Sequence, residues 1–149
     1  MALKMARIGH RYPDTEPYEV SATKIREFAD AIGDPSPLYR DRNAAQDAGH
    51  RDLPAPPTLA VIIAQPATRQ ASGDPEVGID YTRVVHGEQR FVHHRPLFAG
   101  DVVTASVEIL DIRSAGENWL LTTRTELRRV DDGELVCTST STLVERGGE

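Results

Sequence analysis

The chain has little of several residue types on which common functions depend. One cysteine, Cys137, occurs in 149 residues, so an internal disulfide and a cysteine-rich zinc site are both excluded. A reducing compartment, the cytoplasm, is then the simplest location. No apolar run approaches the roughly 18 residues that a membrane span needs. The N-terminus lacks the apolar core of a signal peptide. We therefore expect no membrane association.

Basic charge is also scarce, because 17 Lys and Arg face 23 Asp and Glu, for a net charge of -6. Nucleic-acid binding needs a basic face, so this function is disfavoured. The five histidines are scattered without ligand spacing, and neither a glycine-rich phosphate loop nor a Ser-His-Asp order is present. We expect no metal and no cofactor. The length fits one domain over residues 1–149 with a real core.

The first half of the chain predicts helices. Ser21 offers an N-cap hydroxyl, and Gly33 is a natural helix terminator. Between them apolar residues recur at the spacing of one helix face: Ile25, Phe28, Ala29 and Ile32. A second, short helix is expected over 42–48, with Asp41 as its cap and Gly49 as its end.

The most hydrophobic stretch, residues 53–64, predicts a buried central helix at about 56–65. Its prolines suit a helix start, where amides are unpaired in any case. It is apolar on all sides, as in a helix that is buried all round. Pro66 is expected to bend or end it. A buried strand is the rival interpretation.

After residue 78 the hydrophobic period changes to two, which is typical of strands. Alternating segments rich in Val, Ile and Thr cover 84–93, 101–111, 119–130 and 134–144. Turn-like linkers join them, so an antiparallel meander is predicted, with a further short strand at 17–20. A sheet of this kind that follows one apolar helix predicts an α+β fold in which the sheet wraps the helix.

Residues 31–41 read Ala-Ile-Gly-Asp-Pro-Ser-Pro-Leu-Tyr-Arg-Asp, and this run resembles the signature of the MaoC-like (R)-specific hydratases and dehydratases. The run 87–101, which ends Arg-Pro-Leu-Phe-Ala-Gly-Asp, is similar to a strand–turn pattern of the same family. The resemblance covers nearly the whole chain and implies the hotdog fold. More narrowly, the chain resembles the N-terminal, fatty-acid-synthase-type dehydratase half. That group includes the non-catalytic larger subunit of two-subunit (3R)-hydroxyacyl-carrier-protein dehydratases.

The chain departs from the family pattern where the chemistry is done. Asp34 stands at the catalytic Asp position, but Tyr39 stands where the family has its catalytic His, and Ser36 replaces Asn. A phenol, with an ordinary pKa near 10, is a poor base at neutral pH. Pro57 aligns with the Gly whose amide polarises the thioester carbonyl, and proline has no N–H. The resemblance therefore implies an isolated chain with little or no activity.

The resemblance implies a subunit of a (3R)-hydroxyacyl-thioester dehydratase or enoyl-thioester hydratase of fatty-acyl metabolism. Its partner would be a MaoC-like chain with the intact Asp/His pair, and its ligand an acyl-CoA or acyl-carrier-protein thioester. The expected substrate-binding residues are Ser36, Pro57, Thr58, Arg90 and Arg95.

Plainer interpretations stay open. On these interpretations, Asp34 stabilises a turn, Tyr39 is a packed wall residue, and the arginines are solvated surface charges. Of His93 and His94, which alternate faces of one strand, a structural or solvent role is favoured over contact with a phosphate or a carrier protein. The alternatives for the whole chain are a homodimeric, non-catalytic acyl-thioester-binding module, a structural homodimer, or an active hydratase that uses Asp34 with another partner residue. Acyl length, the carrier and the reaction direction stay open.

Overall fold

Helices occupy the first half of the chain and long strands the second, as predicted. The computed structural model describes residues 3–148. The helices are α1 (Ala22–Ala31), α2 (Arg42–Asp47) and α3 (Ala60–Ser72), with short 3-10 turns at Met5–Arg7, Pro37–Tyr39, Pro57–Leu59 and Tyr81–Arg83. The strands are β1 (Tyr18–Glu19), β2 (Val84–His93), β3 (Val102–Ala115), β4 (Asn118–Arg129) and β5 (Leu135–Glu145).

The predicted helix boundaries have the expected local causes. The Ser21 hydroxyl accepts the Lys24 N–H at the start of α1, and the Asp41 carboxylate accepts the Asn43 N–H at the start of α2. Gly33, at φ +70°, ends α1 in the left-handed region, which a side chain rarely adopts. These contacts direct residues 34–41 away from α1 as a separate loop.

The five strands form one antiparallel sheet in the order β1-β3-β4-β5-β2. Strands β3, β4 and β5 are the predicted meander, but β2 pairs with β5 and not with β3, so the meander of four successive strands is wrong. The reason lies in residues 94–101, which turn away from β2. The Ala55 N–H donates to the Leu97 carbonyl (2.6 Å) and the Ala99 N–H to the Leu53 carbonyl (2.9 Å). This pairing carries the chain past the end of the sheet to its other side.

Strand β2 is therefore an edge strand of ten residues. In the part of the chain that the structure describes, its second edge has no ladder partner. Val85 and Val92 are 43% and 44% exposed on it. Long exposed edges of this kind are sites at which another chain adds a strand.

Helix α3 lies against the concave face of the sheet and forms the centre of the core with it. Its buried residues are mostly small: Ala60, Ile63, Ala64, Ala67 and Ala71. The expectation of burial on all sides is wrong, because Val61 is 38% exposed. The helix also continues through Pro66 to Ser72. Pro66 lies on the exposed side, where solvent reaches the helix backbone that proline leaves unpaired.

The N-terminal segment is fastened to the loop after α3. The Asp74 carboxylate accepts hydrogen bonds from the Tyr12 hydroxyl (2.6 Å) and from Arg7 (2.7 Å). The Tyr12 hydrogen bond is the largest cause that lowers the pKa of Asp74 to about 2, and Arg7 adds to it. None of the described helices is long and apolar enough to cross a membrane.

Candidate substrate cleft and the Asp34 loop

The loop that carries the family signature is held by its own side chains. The Asp34 carboxylate accepts the Ser36 N–H (3.0 Å), and the Ser36 hydroxyl accepts the Leu38 N–H (3.3 Å). Arg40 donates to the Asp34 carbonyl and to the Asp30 carboxylate. These are turn-stabilising bonds, and they engage one oxygen of the Asp34 carboxylate.

Tyr39 is half-buried, and its ring packs against the main core. Burial raises the pKa of its hydroxyl, and the charge of Asp34 raises it further. The phenol therefore stays protonated at neutral pH and does not take a proton from substrate or water. Asp34 and Tyr39 are close enough to interact electrostatically, but they lack the acid/base complementarity of an Asp/His pair.

At the entry to α3, Pro57 and Leu59 offer no free amide donor. Pro57 has no N–H, and the Leu59 N–H donates to the Pro56 carbonyl (2.9 Å). The Pro57 carbonyl instead accepts a hydrogen bond from His93 Nε2 (2.9 Å). Pro57 thus presents a carbonyl at the helix entry, and stabilisation of an oxyanion there would need N–H groups.

A cleft beside this helix entry measures about 660 Å³ out to open solvent. It is lined by residues 55–57 and 93–97. Pro57, Arg95 and His93 are thus brought together. The expectation for His93 favoured a structural or solvent role, and no sequence signal identified its contact with the Pro57 carbonyl.

Arg95 is held in the wall of this cleft by a buried carboxylate. It donates to Asp101 (3.0 Å) and lies 3.4 Å from Glu134, while Arg51 reaches Asp101 at 2.5 Å. Burial would raise the pKa of Asp101, but the hydrogen bonds from Arg95 and from the Phe98 N–H, with the two positive charges, outweigh it and lower that pKa. The positive charge of Arg95 therefore has a fixed position.

The structure does not assemble all the predicted site residues at one place. Asp34, Ser36 and Tyr39 share the loop after α1, and none of them lines the cleft at the helix entry. Thr58 is exposed in the 3-10 turn before α3, and Arg90 is exposed on β2; neither lines that cleft. Their roles in binding stay predictions. Within residues 3–148, no cluster of three or more His, Cys, Asp or Glu is arranged to hold a metal ion.

Comparison with known proteins identifies the family. The family described as FAS1-like, dehydratase domain region, matches residues 6–139. A chain of the C-terminally truncated HadBC (3R-hydroxyacyl-ACP dehydratase) complex from Mycobacterium tuberculosis is 33% identical, with a TM-score of 0.83, over 95% of this chain and 99% of that one. The chain belongs to the MaoC-like hotdog dehydratase family.

Other known proteins resemble the chain over different shares of their own length. A MaoC-like dehydratase, 33% identical with a TM-score of 0.87, is covered over only 43% of its length, while 96% of the present chain is matched. One of the curated relatives, a UPF0336 protein from Saccharopolyspora erythraea, is 51% identical over 99% of this chain and 94% of its own length. The name UPF0336 does not state an activity. The ChsH1–ChsH2 complex from M. tuberculosis, at 20% identity and a TM-score of 0.74, shares the fold.

Proposed function

We propose that the chain is a non-catalytic subunit of a (3R)-hydroxyacyl-thioester dehydratase or enoyl-thioester hydratase. The observation that carries the proposal is the entry to α3. There Pro57 has no N–H, the Leu59 N–H is engaged, and the Pro57 carbonyl faces His93. The protonated phenol of Tyr39 removes the base as well. Loss of one oxyanion donor alone reduces the rate by about 10²–10³ in known acyl-transfer enzymes.

The proposed partner is a second hotdog chain that carries the intact Asp/His pair. The long free edge of β2, with its exposed Val85 and Val92, supports strand addition by such a partner. HadBC and ChsH1–ChsH2 are complexes of two different chains by their names, which favours a heterodimer over a homodimer. The partner supplies the acid/base pair and the helix-end amides.

The proposed contribution of this chain is binding of the acyl thioester. The cleft at 55–57 and 93–97 holds part of the ligand, and Arg95 at its wall meets an anionic group of coenzyme A or of a carrier protein's phosphopantetheine. Thr58 and Arg90 extend this surface toward the partner, and Ser36 shapes the neighbouring loop. The setting is fatty-acid biosynthesis in the cytoplasm.

The first test is assembly. The chain is co-expressed with a MaoC-like chain that carries the Asp/His motif, and the mass of the purified species is measured by light scattering. A one-to-one complex is expected. Val92→Lys, on the free edge of β2, is expected to weaken it, while Val130→Lys, at a site 49% exposed after β4, leaves it intact. A chain that assembles only with itself would favour the homodimeric binding module instead.

The second test locates the chemistry. Hydration of a short enoyl-CoA is expected from the complex and not from the isolated chain. Asn in place of the partner's Asp abolishes turnover, whereas Asp34→Asn in this chain leaves it within about twofold. One observation favours an active hydratase, namely the imidazole of His93 at the helix entry. Loss of turnover by Asp34→Asn would support that alternative and reject the proposal.

A further inference from the structure

The concave face of the sheet carries hydroxyls where it meets α3. Thr123 pairs in register with Ser141, and Thr125 with Ser139, on the neighbouring strands β4 and β5. All four residues are buried. The face of a sheet that packs on a helix is normally apolar, so this hydroxyl belt (Thr123, Thr125, Ser139 and Ser141) is polar surface inside the core region.

Small side chains on α3 leave open space opposite the hydroxyl belt. Ala64 faces the sheet, and with the belt it borders a narrow cleft with about 90 Å³ of interior space, which opens to solvent. Thr123, Ser139 and Ser141 line this cleft with Gln89 of β2. Leu121 and Leu143 add apolar surface on the same strands. The lining is therefore mixed, with hydrogen-bonding groups between patches that suit an alkyl chain.

The hydroxyl belt has unused hydrogen-bonding capacity. The Gln89 amide donates to the Ser139 hydroxyl (2.8 Å). The Thr125 hydroxyl is fully buried and has no hydrogen-bond partner among the described residues. Alternation along β4 places Thr125 on the same face of the sheet as Thr123, which lines the cleft. Thr125 is fully buried and does not itself line the cleft, whereas the hydroxyls of Thr123 and Ser141 do, so a ligand oxygen in the cleft would meet those two.

We infer that this cleft binds a segment of acyl chain that carries an oxygen, a hydroxyl or a ketone, beyond the carbons that react. An unsubstituted chain would take the hydroxyl belt away from water without replacing its hydrogen bonds. An oxygen at that depth accepts from Thr123 or Ser141 or, as a hydroxyl, donates to them. The inference rests on the proposed function only in that the ligand is an acyl thioester. It adds the chemical class of the chain.

The test compares matched ligands by calorimetric titration of the protein, alone and in its complex. The probes are the dodecanoyl thioester of pantetheine and isomers that bear one hydroxyl, moved stepwise from the middle of the chain to its end. At least one isomer is expected to bind about tenfold more tightly than the plain chain, as one buried hydrogen bond allows. Equal affinity for all of them would overturn the inference and leave the proposed function intact. If no thioester bound at all, the acyl-binding role itself would fall.

Variants of the hydroxyl belt test whether its hydroxyls cause the preference for an oxygenated acyl chain. Thr123→Val keeps the shape and removes a hydroxyl that lines the cleft, so the preference for the oxygenated chain should disappear while the melting temperature of the free protein stays about the same. Ser141→Ala is a milder change with the same expected loss of preference. Thr140→Val, on the opposite face of β5, is the matched control and should preserve it. A preference that survives both belt variants would refute the assignment of the oxygen to this cleft.

Discussion

Asp101 is the residue whose replacement most directly tests how the cleft at the helix entry is held. Its side chain is 1% exposed, and Arg95 and Arg51 both contact it. The Phe98 N–H donates to it at 2.8 Å. Asp101→Asn removes the charge while it keeps the shape and one oxygen for Phe98. The change therefore isolates the two ion pairs.

The expected loss is set by the burial of the partners. Removal of one member of a buried ion pair typically costs about 3–5 kcal/mol, because a charge stays buried without its partner. Arg95 is 18% exposed and meets that description, whereas Arg51, 52% exposed, is solvated without Asp101. We expect a loss near the lower end, about 3 kcal/mol. For a domain of this size, that corresponds to a melting temperature about 10 °C lower.

The sign of the pH dependence gives a second readout. The pKa of Asp101 in the folded chain lies below its ordinary value of 3.8, so its stabilisation is present above that value and is lost as pH falls through the folded pKa. Urea unfolding at pH 7 and at lower pH is the assay. The wild type should lose stability on acidification more steeply than Asp101→Asn. Asp131→Asn, at a side chain that is 80% exposed in its ion pair with Arg129, should change stability by about 0.5 kcal/mol or less. A loss below about 1 kcal/mol for Asp101→Asn, with an unchanged acid profile, would show that the two arginines do not depend on the carboxylate.

Three further predictions follow from the same contacts. Tyr39→His alone should not create hydratase activity in the isolated chain, because Pro57 still lacks the N–H donor. The double variant Tyr39→His with Pro57→Gly should raise the logarithm of the hydration rate by more than the sum of the two single variants. Family-like rates from Tyr39→His alone would disprove the alignment of Pro57 with the donor glycine. Asp74→Asn should reduce the free energy of unfolding at pH 7 by about 2 kcal/mol, because the pKa of Asp74 falls from 3.8 to about 2 on folding; acid titration of unfolding should show the wild-type advantage disappear between about pH 4 and 2. Burial raises the pKa of Cys137 to about 11, so the native thiol should react with a thiol reagent at pH 8 far more slowly than the urea-unfolded thiol, and equal rates would contradict its burial.

Local patterns predicted the elements well because their causes are local. The helix spacing before Gly33, the cap at Asp41 and the period-two strands each depend on a few adjacent residues, and each lies where expected. The position of β2 in the sheet was not predictable in this way. It depends on pairing of residues 53–55 with 97–99, about forty residues apart, and sequence periodicity carries no information about that contact.

The site was predictable only where the residue type itself decides the chemistry. The missing N–H of Pro57 follows from proline, and the weak basicity of Tyr39 follows from a phenol. The contact of His93 with the Pro57 carbonyl and the burial of Asp101 between two arginines depend on tertiary geometry. For the same reason, the residues of the hydroxyl belt were predicted only to lie in alternating strands, since Ser and Thr are ordinary residues in a strand.

The ion pairs of Asp101 and the N–H that Pro57 lacks both bear on function. A carboxylate buried with Arg51 and Arg95 is costly to desolvate, and its main structural effect is to hold the turn at 95–101 beside the cleft. At the helix entry beside that turn, Pro57 has no N–H where the alignment with the family predicts a catalytic donor. A chain that did its own chemistry would need a donor at that position. Under the proposed function, this protein holds a substrate for a partner's acid/base pair, a role that uses the fixed turn and tolerates the proline.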